Sequence, residues 1–221
     1  MIQRRISLSP EPAAPVNSGE ALKTIPIREP PCSTGFIFLI LLSALRNVDA
    51  AVFVGYHSCA GTEQGVLAHT LLGKEVQNML INGEPTGETR LNALLCGHFG
   101  VPVAFVAGDD TVCREAKNVL GQDLPTFAVK DGIDMFTASC LHPEVSQKGI
   151  REGVAAALRD LSKREVYKME MPITFGFEFN STTIAATCEY IPGVTKTNPY
   201  STEFKTEDMP EAMKMIFAEL L

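Results

Sequence analysis

Clustered cysteines are absent from this sequence. The six cysteines of the 221-residue chain stand singly, and no C-x-x-C pair occurs. Zinc ribbons and iron–sulfur clusters need grouped thiolates, so neither kind of site is expected. We interpret the cysteines as free, mostly buried thiols of a reducing compartment, which favours a cytoplasmic location.

A cluster of basic residues is absent as well. The chain carries 26 acidic side chains against 19 basic ones, which gives a formal net charge of −7. Proteins bind nucleic acids chiefly through lysine and arginine residues that neutralise phosphates, and here the net electrostatic contribution is repulsive. We therefore expect no nucleic-acid partner.

The apolar run GFIFLILLSAL at residues 35–45 is too short to cross a bilayer, because a transmembrane helix needs about 20 residues. It is consistent with a buried helix or strand, with the core of a signal or anchor, or with a wrongly assigned gene start. Signal peptides begin with a short basic stretch, whereas Glu11, Glu20 and Glu29 precede this run. We expect residues 1–45 to form an irregular extension, and membrane binding is disfavoured.

Several well-known catalytic motifs are also missing. The sequence contains no G-x-S-x-G elbow, no G-x-x-x-x-G-K-[ST] phosphate loop, no G-x-G-x-x-G fingerprint and no H-E-x-x-H helix. These absences argue against the enzyme classes that depend on each motif. Any chemistry must therefore come from a different set of residues.

Apolar segments of strand length alternate with amphipathic segments in the middle of the chain. This alternation predicts an α/β fold with a parallel or mixed sheet sandwiched by helices. Strands are predicted at 50–56, 101–108 and 126–130, and helices at 88–100, 111–121 and 142–165.

The pattern changes near residue 171. Strands predicted at 172–179 and 200–206 and a closing helix at 207–221 indicate a smaller α+β part, and a further strand is predicted before the turn Asn82-Gly83. We therefore divide the chain into an extension at 1–45, an α/β core at 46–170 that carries the site, and an α+β C-terminal part at 171–221.

Polar residues follow two of the predicted strands at the ends where parallel sheets bind ligands. His57 directly follows the strand at 50–56, and Asp109 and Asp110 follow the strand at 101–108. Glu88 begins a predicted helix, and His69 follows a glycine-containing loop. Imidazole and carboxylate groups are ligands that suit Zn²⁺, and a second imidazole can act as acid, base or oxyanion stabiliser.

Each of these residues also has a structural interpretation. The helix dipole alone stabilises a carboxylate such as Glu88 in a first turn. The pair Asp109-Asp110 before a helix is typical of a cap, with Asp110 or Thr111 expected as the N-cap itself. A lone histidine after a strand is often only a hydrogen-bonded structural residue. Spacing alone favours the structural interpretation.

Longer stretches of the sequence carry more information than these single residues. The segments GYH and GVLAHT, followed by INGEPTGETRLNALLCGHFGVPVAFVAGDD, closely resemble the M55 family of zinc D-aminopeptidases. The resemblance continues through EAKNVLG, FAVKDGI and EYIPGVTKTN, and it covers about residues 46–221.

The resemblance implies a function and a set of roles. Members of this family are self-compartmentalising homo-oligomers, decameric in the typical case, with two zinc ions per subunit. They use zinc-activated water to release N-terminal D-amino acids from short peptides. By resemblance, His57 and Glu88 bind metal, and His69 is the catalytic histidine.

Part of the family pattern is missing. A D-x-E-G motif and an N-D-S-H segment supply the remaining metal ligands in the family, and neither occurs in this sequence. The alternatives are a truncated gene model, a real deletion, and a catalytically impaired member that acts only as a structural or binding remnant. A membrane-tethered binding protein anchored by residues 35–45 is a further hypothesis.

Overall fold

The computed structural model describes residues 45–220. Except for Leu45, the predicted extension and the apolar run at 35–45 lie outside the described residues. Within the described range, no helix is both long enough and apolar enough to cross a membrane. Short 3₁₀ helices occur at Leu45–Asn47 and Leu161–Lys163.

The strands and helices of the described range follow the predicted order closely. The strands are β1 (Ala51–Tyr56), β2 (Val76–Ile81), β3 (Glu84–Pro85), β4 (Val103–Asp109), β5 (Thr126–Asp134), β6 (Thr137–Cys140), β7 (Ile173–Phe179), β8 (Thr195–Asn198) and β9 (Ser201–Thr206). The α-helices are α1 (Glu88–His98), α2 (Asp110–Leu120), α3 (Pro143–Arg159), α4 (Thr182–Cys188) and α5 (Met209–Leu220).

The first sheet has the strand order β1-β4-β5-β6. β1, β4 and β5 are parallel, and β6 pairs antiparallel with β5. Every residue of β4 is buried, which is the expected property of a strand that is covered on both faces. Phe105 belongs to a small cluster against which Ile150 and Val154 of α3 pack, whereas Val103 and Val106 belong to the larger core that includes residues of α1 and α2. The predicted α/β fold with a mixed sheet between helices is confirmed.

The second sheet is antiparallel and has the order β3-β2-β7-β9-β8. Alternate residues of β7 are buried, among them Phe175, Phe177 and Phe179, as expected for a strand with one face on a core. β2 pairs with β7 although nearly a hundred residues separate them. The second sheet therefore takes strands from both sides of the predicted boundary at residue 170, and the division into domains remains a prediction.

Four short elements were not predicted, one of which is the two-residue strand β3. β6, α4 and β8 are short, and all four residues of β8 are exposed, so none of them shows an apolar period. β5 also continues to Asp134, beyond its predicted end, because it forms a hairpin with β6.

The cysteines of the described range behave as predicted. Cys59, Cys96, Cys113, Cys140 and Cys188 are all free thiols, and three of them are buried. No disulfide joins these five cysteines within residues 45–220.

Candidate active site

The loop between β1 and β2 carries both histidines of interest and has an unusual backbone. Gln64, Leu67 and Leu71 have φ values of 61°, 52° and 58°, which lie in the left-handed region. Each such residue costs roughly 1–2 kcal/mol, and strain of this kind persists only where the surrounding structure enforces it. The contacts that hold this loop in its strained conformation involve the residues of the candidate site.

Asp109 is the first of these contacts. Its side chain is fully buried, and Oδ2 accepts a hydrogen bond of 2.7 Å from Val66 N. Oδ1 accepts from Thr111 Oγ1 at 2.9 Å and from Val112 N at 2.8 Å. Asp109 therefore caps α2 and also anchors the loop. The interpretation of the pair Asp109-Asp110 as a cap is confirmed for Asp109, whereas the prediction of Asp110 or Thr111 as the N-cap is wrong, because β4 runs directly into α2 and its last residue takes that position.

The hairpin formed by β5 and β6 holds the loop from the other side. Leu67 N donates to Met135 O at 2.8 Å. Asp110 Oδ1 accepts from Gly132 N at 2.9 Å, so the hairpin is itself fixed to the start of α2. The loop is thus clamped between α2 and the hairpin.

His57 follows β1 and is partly buried in this clamp. Its Nδ1 lies 2.8 Å from Val66 O, and a carbonyl oxygen only accepts, so Nδ1 carries the proton. Burial lowers the pKa of His57 overall, with nearby Lys130 and His69 contributing in the same direction. A neutral imidazole with a free Nε2 is the form that binds a metal ion.

His69 and Glu88 lie beside His57. The rings of His57 and His69 have centroids 5.3 Å apart, and His69 Nε2 lies 3.8 Å from Glu88 Oε1. His69 Nδ1 lies 2.6 Å from Leu67 O, so Nδ1 carries the proton here as well. The unprotonated Nε2 is then the nitrogen that can accept a proton or bind a metal ion. Glu88 Oε1 also accepts from Leu71 N at 3.0 Å. The structure thus brings the three residues together, while their individual roles stay predictions.

Comparison with known proteins identifies the family. A model of peptidase M55, described as D-aminopeptidase, matches residues 39–218. The chain belongs to this family. A D-aminopeptidase of Bacillus subtilis (strain 168) is 33% identical over 174 residues, which make up 77% of this chain and 62% of that protein.

A solved structure supports the same assignment. The zinc-dependent D-aminopeptidase of Bacillus subtilis, described as a self-compartmentalizing protease, matches with a TM-score of 0.73 and 32% identity. The match covers 78% of this chain and 62% of the other. This M55 chain therefore spans less than two thirds of the length of the relatives that it matches.

The donors of this M55 chain fit zinc in kind but not in number. Imidazole and carboxylate suit zinc, and a hydrogen bond from the second ring nitrogen to a carbonyl is typical of metal-bound histidine. Among residues 45–220, however, no three His, Cys, Asp or Glu side chains are grouped so as to hold a metal ion. A catalytic zinc usually has three protein ligands, so the described residues do not complete a zinc site.

Glu115 of α2 is a residue of this region that sequence reasoning missed. Its Oε2 accepts a hydrogen bond of 2.7 Å from Cys59 N, and burial raises the pKa of its carboxyl group. The available signal is the i, i+4 spacing of Thr111 and Glu115, which places both on one helix face. That spacing does not predict which backbone segment packs against this face of α2.

Proposed function

We propose that this M55 chain is a metallo-aminopeptidase that removes N-terminal amino acids, preferably D-residues, from short peptides with a zinc-activated water. Family membership and the zinc-dependent relative from Bacillus subtilis support the reaction class. The observation that carries the proposal is the fixed Nδ1–H tautomer of His57, whose ring lies 5.3 Å, centroid to centroid, from that of His69, which is in turn paired with Glu88.

The roles follow from the hydrogen bonds of each side chain. His57 Nε2 and the Glu88 carboxylate are proposed as metal donors, in agreement with the resemblance. His69 donates from Nδ1 to Leu67 O, which leaves Nε2 to take a proton from the attacking water and return it to the leaving amine. Since Leu67 has a strained backbone, that strain is part of how His69 is positioned.

A specific observation favours a second candidate function. The described residues do not supply three grouped metal donors, as expected of a catalytically impaired member that keeps the fold as a structural or binding protein. Metal analysis of the purified full chain separates the two proposals. About one zinc or more per chain together with hydrolysis of D-alanyl peptides supports the enzyme. A chain that holds less zinc than this and does not hydrolyse these peptides supports the remnant.

Substitution of the two histidines tests their assigned roles. We expect His57→Ala to lower the zinc content, because it removes a metal donor. His69→Ala should keep the zinc content but lower kcat about 100-fold, since a positioned acid–base group contributes on this order. His98→Ala is the matched control, because His98 is an exposed residue at the end of α1. Loss of zinc in His69→Ala, or full activity in both variants, contradicts the assignment.

We further propose that the chain forms a homo-oligomer, in line with the self-compartmentalizing relative. The tip of the β5–β6 hairpin supports this, because Ile133, Met135 and Phe136 are 58%, 45% and 79% exposed. Grouped exposed apolar side chains of this kind mark interaction surfaces. Assembly as a decamer and a cytoplasmic location remain part of the same proposal.

The hairpin tip provides a direct test of assembly. We expect Phe136→Asp to shift the chain to a smaller species in light scattering coupled to size exclusion, because a charge in an apolar interface is poorly tolerated. Tyr190→Asp is the control, since Tyr190 is 89% exposed but follows α4 and is not part of the hairpin. An unchanged mass for Phe136→Asp contradicts this interface.

A further inference from the structure

The turn that joins β5 to β6 consists of Met135 and Phe136, which lie between the paired residues Asp134 and Thr137. Asp134 Oδ1 accepts a hydrogen bond of 2.7 Å from Phe136 N, so the side chain before the turn closes it. The side chains of Met135 and Phe136 are 45% and 79% exposed. The turn therefore has a fixed backbone and presents two large apolar side chains to its surroundings.

The backbone of the same turn holds the loop that carries both histidines. Met135 O accepts a hydrogen bond of 2.8 Å from Leu67 N. Leu67 O lies 2.6 Å from His69 Nδ1, and the preceding carbonyl, Val66 O, lies 2.8 Å from His57 Nδ1. One residue of the loop thus connects the hairpin to His69, and its neighbour connects it to His57.

A second contact between the hairpin and the loop lies at Gly132 of β5. A Cβ on Gly132 would collide with Gln64 O, so the two backbones touch at this point. Gly132 N also donates to Asp110 Oδ1 at 2.9 Å, which fixes the hairpin to α2. Gln64 and Leu67 both have a left-handed backbone, so the hairpin contacts two of the strained positions of the loop.

Opposing contributions of similar size determine the conformation of Leu67. A left-handed residue other than glycine is unfavourable by an amount comparable to the net contribution of one hydrogen bond. The side chain of Leu67 is 39% exposed, so its packing adds little. If Met135 moved away, Leu67 would lose its bond and relax, and the carbonyl that holds His69 would turn with it.

We propose that contact with a second copy of this chain at the tip of the β5–β6 hairpin sets the conformation of the histidine loop, so that assembly and the geometry of the candidate site are coupled. This coupling rests on the proposed homo-oligomer. Methionine and phenylalanine are enriched in the cores of protein interfaces. A partner packed on their side chains holds Met135 from outside, while its carbonyl holds Leu67 from inside.

Hydrogen exchange followed by mass spectrometry tests the coupling without depending on catalysis. The full chain is compared with Phe136→Asp, and light scattering gives the mass of each. We expect Phe136→Asp to form a smaller species in which peptides of residues 62–72 exchange at least about tenfold faster, while peptides of β4 keep their protection. Tyr190→Asp, which changes an exposed aromatic residue outside the hairpin, should alter neither the mass nor the exchange.

Gly132→Ala separates the coupling from assembly itself. The substitution leaves the apolar tip intact, but the added Cβ pushes on Gln64, so we expect an unchanged mass together with faster exchange in residues 62–72. In the hydrolysis of D-alanyl peptides, kcat should fall about tenfold with little change in KM, because the catalytic groups are misplaced while the substrate still binds. Ser139→Ala is the matched control, since Ser139 is an exposed residue of the same hairpin.

The proposal is overturned if Phe136→Asp becomes smaller while residues 62–72 exchange as slowly as in the unaltered chain, or if Gly132→Ala leaves this exchange unchanged. Equal acceleration in β4 also overturns it, because the substitution would then act through general loss of stability. An unchanged mass of Phe136→Asp contradicts both the coupling and the proposed interface. A chain with the expected exchange but without peptide hydrolysis supports the coupling and contradicts the proposed peptidase.

Discussion

Replacing Asp109 with alanine is expected to lower the free energy of unfolding by about 3–5 kcal/mol. The substitution removes the cap of α2 and leaves Val66 N and Val112 N, both bonded to this carboxylate, without an acceptor in a buried position. The lost cap bond to Val112 N costs up to about 2 kcal/mol, and the unsatisfied Val66 N costs about 1–3 kcal/mol, so the two together give the expected loss. Urea denaturation followed by circular dichroism measures the change.

Asp110→Ala is the matched control for this experiment. Asp110 bonds to Gly132 N and pairs with Arg114, but its side chain is 26% exposed, so we expect a loss of about 1 kcal/mol. If Asp110→Ala destabilised the protein more than Asp109→Ala, the cap would lie where the sequence predicts it and not where the structure places it. The same pair of variants also reports on the loop, since only Asp109 binds Val66 N directly.

Glu219→Gln is expected to stabilise the protein, and to do so more at high pH. Glu219 of α5 is 4% exposed, and its Oε1 accepts from Thr202 at 2.9 Å. Burial raises the pKa of Glu219 from 4.5 to about 7. Because the folded state holds this proton more tightly than the unfolded state, stability is fully present below about pH 4.5 and is lost as pH rises towards and through 7.

The expected size follows from the shift in pKa. A shift from 4.5 to about 7 corresponds to about 3 kcal/mol above the folded-state pKa. Glutamine stays neutral and keeps an oxygen for Thr202, so the gain in stability from Glu219→Gln should be about 2–3 kcal/mol larger at pH 8 than at pH 5. Thermal and urea unfolding at the two pH values measure this difference.

A control and a contradicting result complete this prediction. Glu203→Gln changes an exposed residue of β9, the strand that also carries Thr202, and its effect should be small and nearly the same at both pH values. If Glu219→Gln gave the same gain at pH 5 and pH 8, the carboxyl group would be ionised normally in the folded protein.

Local patterns predicted most of the first sheet and the place of His57 at the end of a strand. The apolar run at 50–56 became β1, and the run at 101–108 became β4 with a small shift of its ends. This succeeded because a fully buried parallel strand needs a continuous apolar stretch, whichever partners it has. His57 therefore lies at the carboxyl end of a strand, as predicted.

Local patterns could not predict which distant segments of the chain pair with one another. The alternation of β2 shows that one of its faces is buried, but it does not show that the strand pairs with β7. The prediction of Asp110 or Thr111 as the N-cap of α2 was wrong for a related reason. Asp109, Asp110 and Thr111 are all suitable cap residues, and only the end of β4 decides among them.

The sequence by itself determined the α/β class, the free thiols of the described range and, through its resemblance, membership of peptidase M55. These depend on composition, on local periodicity and on contiguous segments. Only the tertiary structure decided that His69 and Glu88 meet beside His57, and that Glu115 of α2 accepts a hydrogen bond from Cys59 N of the loop after β1. The physical reason is that periodicity shows whether a side chain is buried, whereas the packing of distant segments determines which groups it meets there.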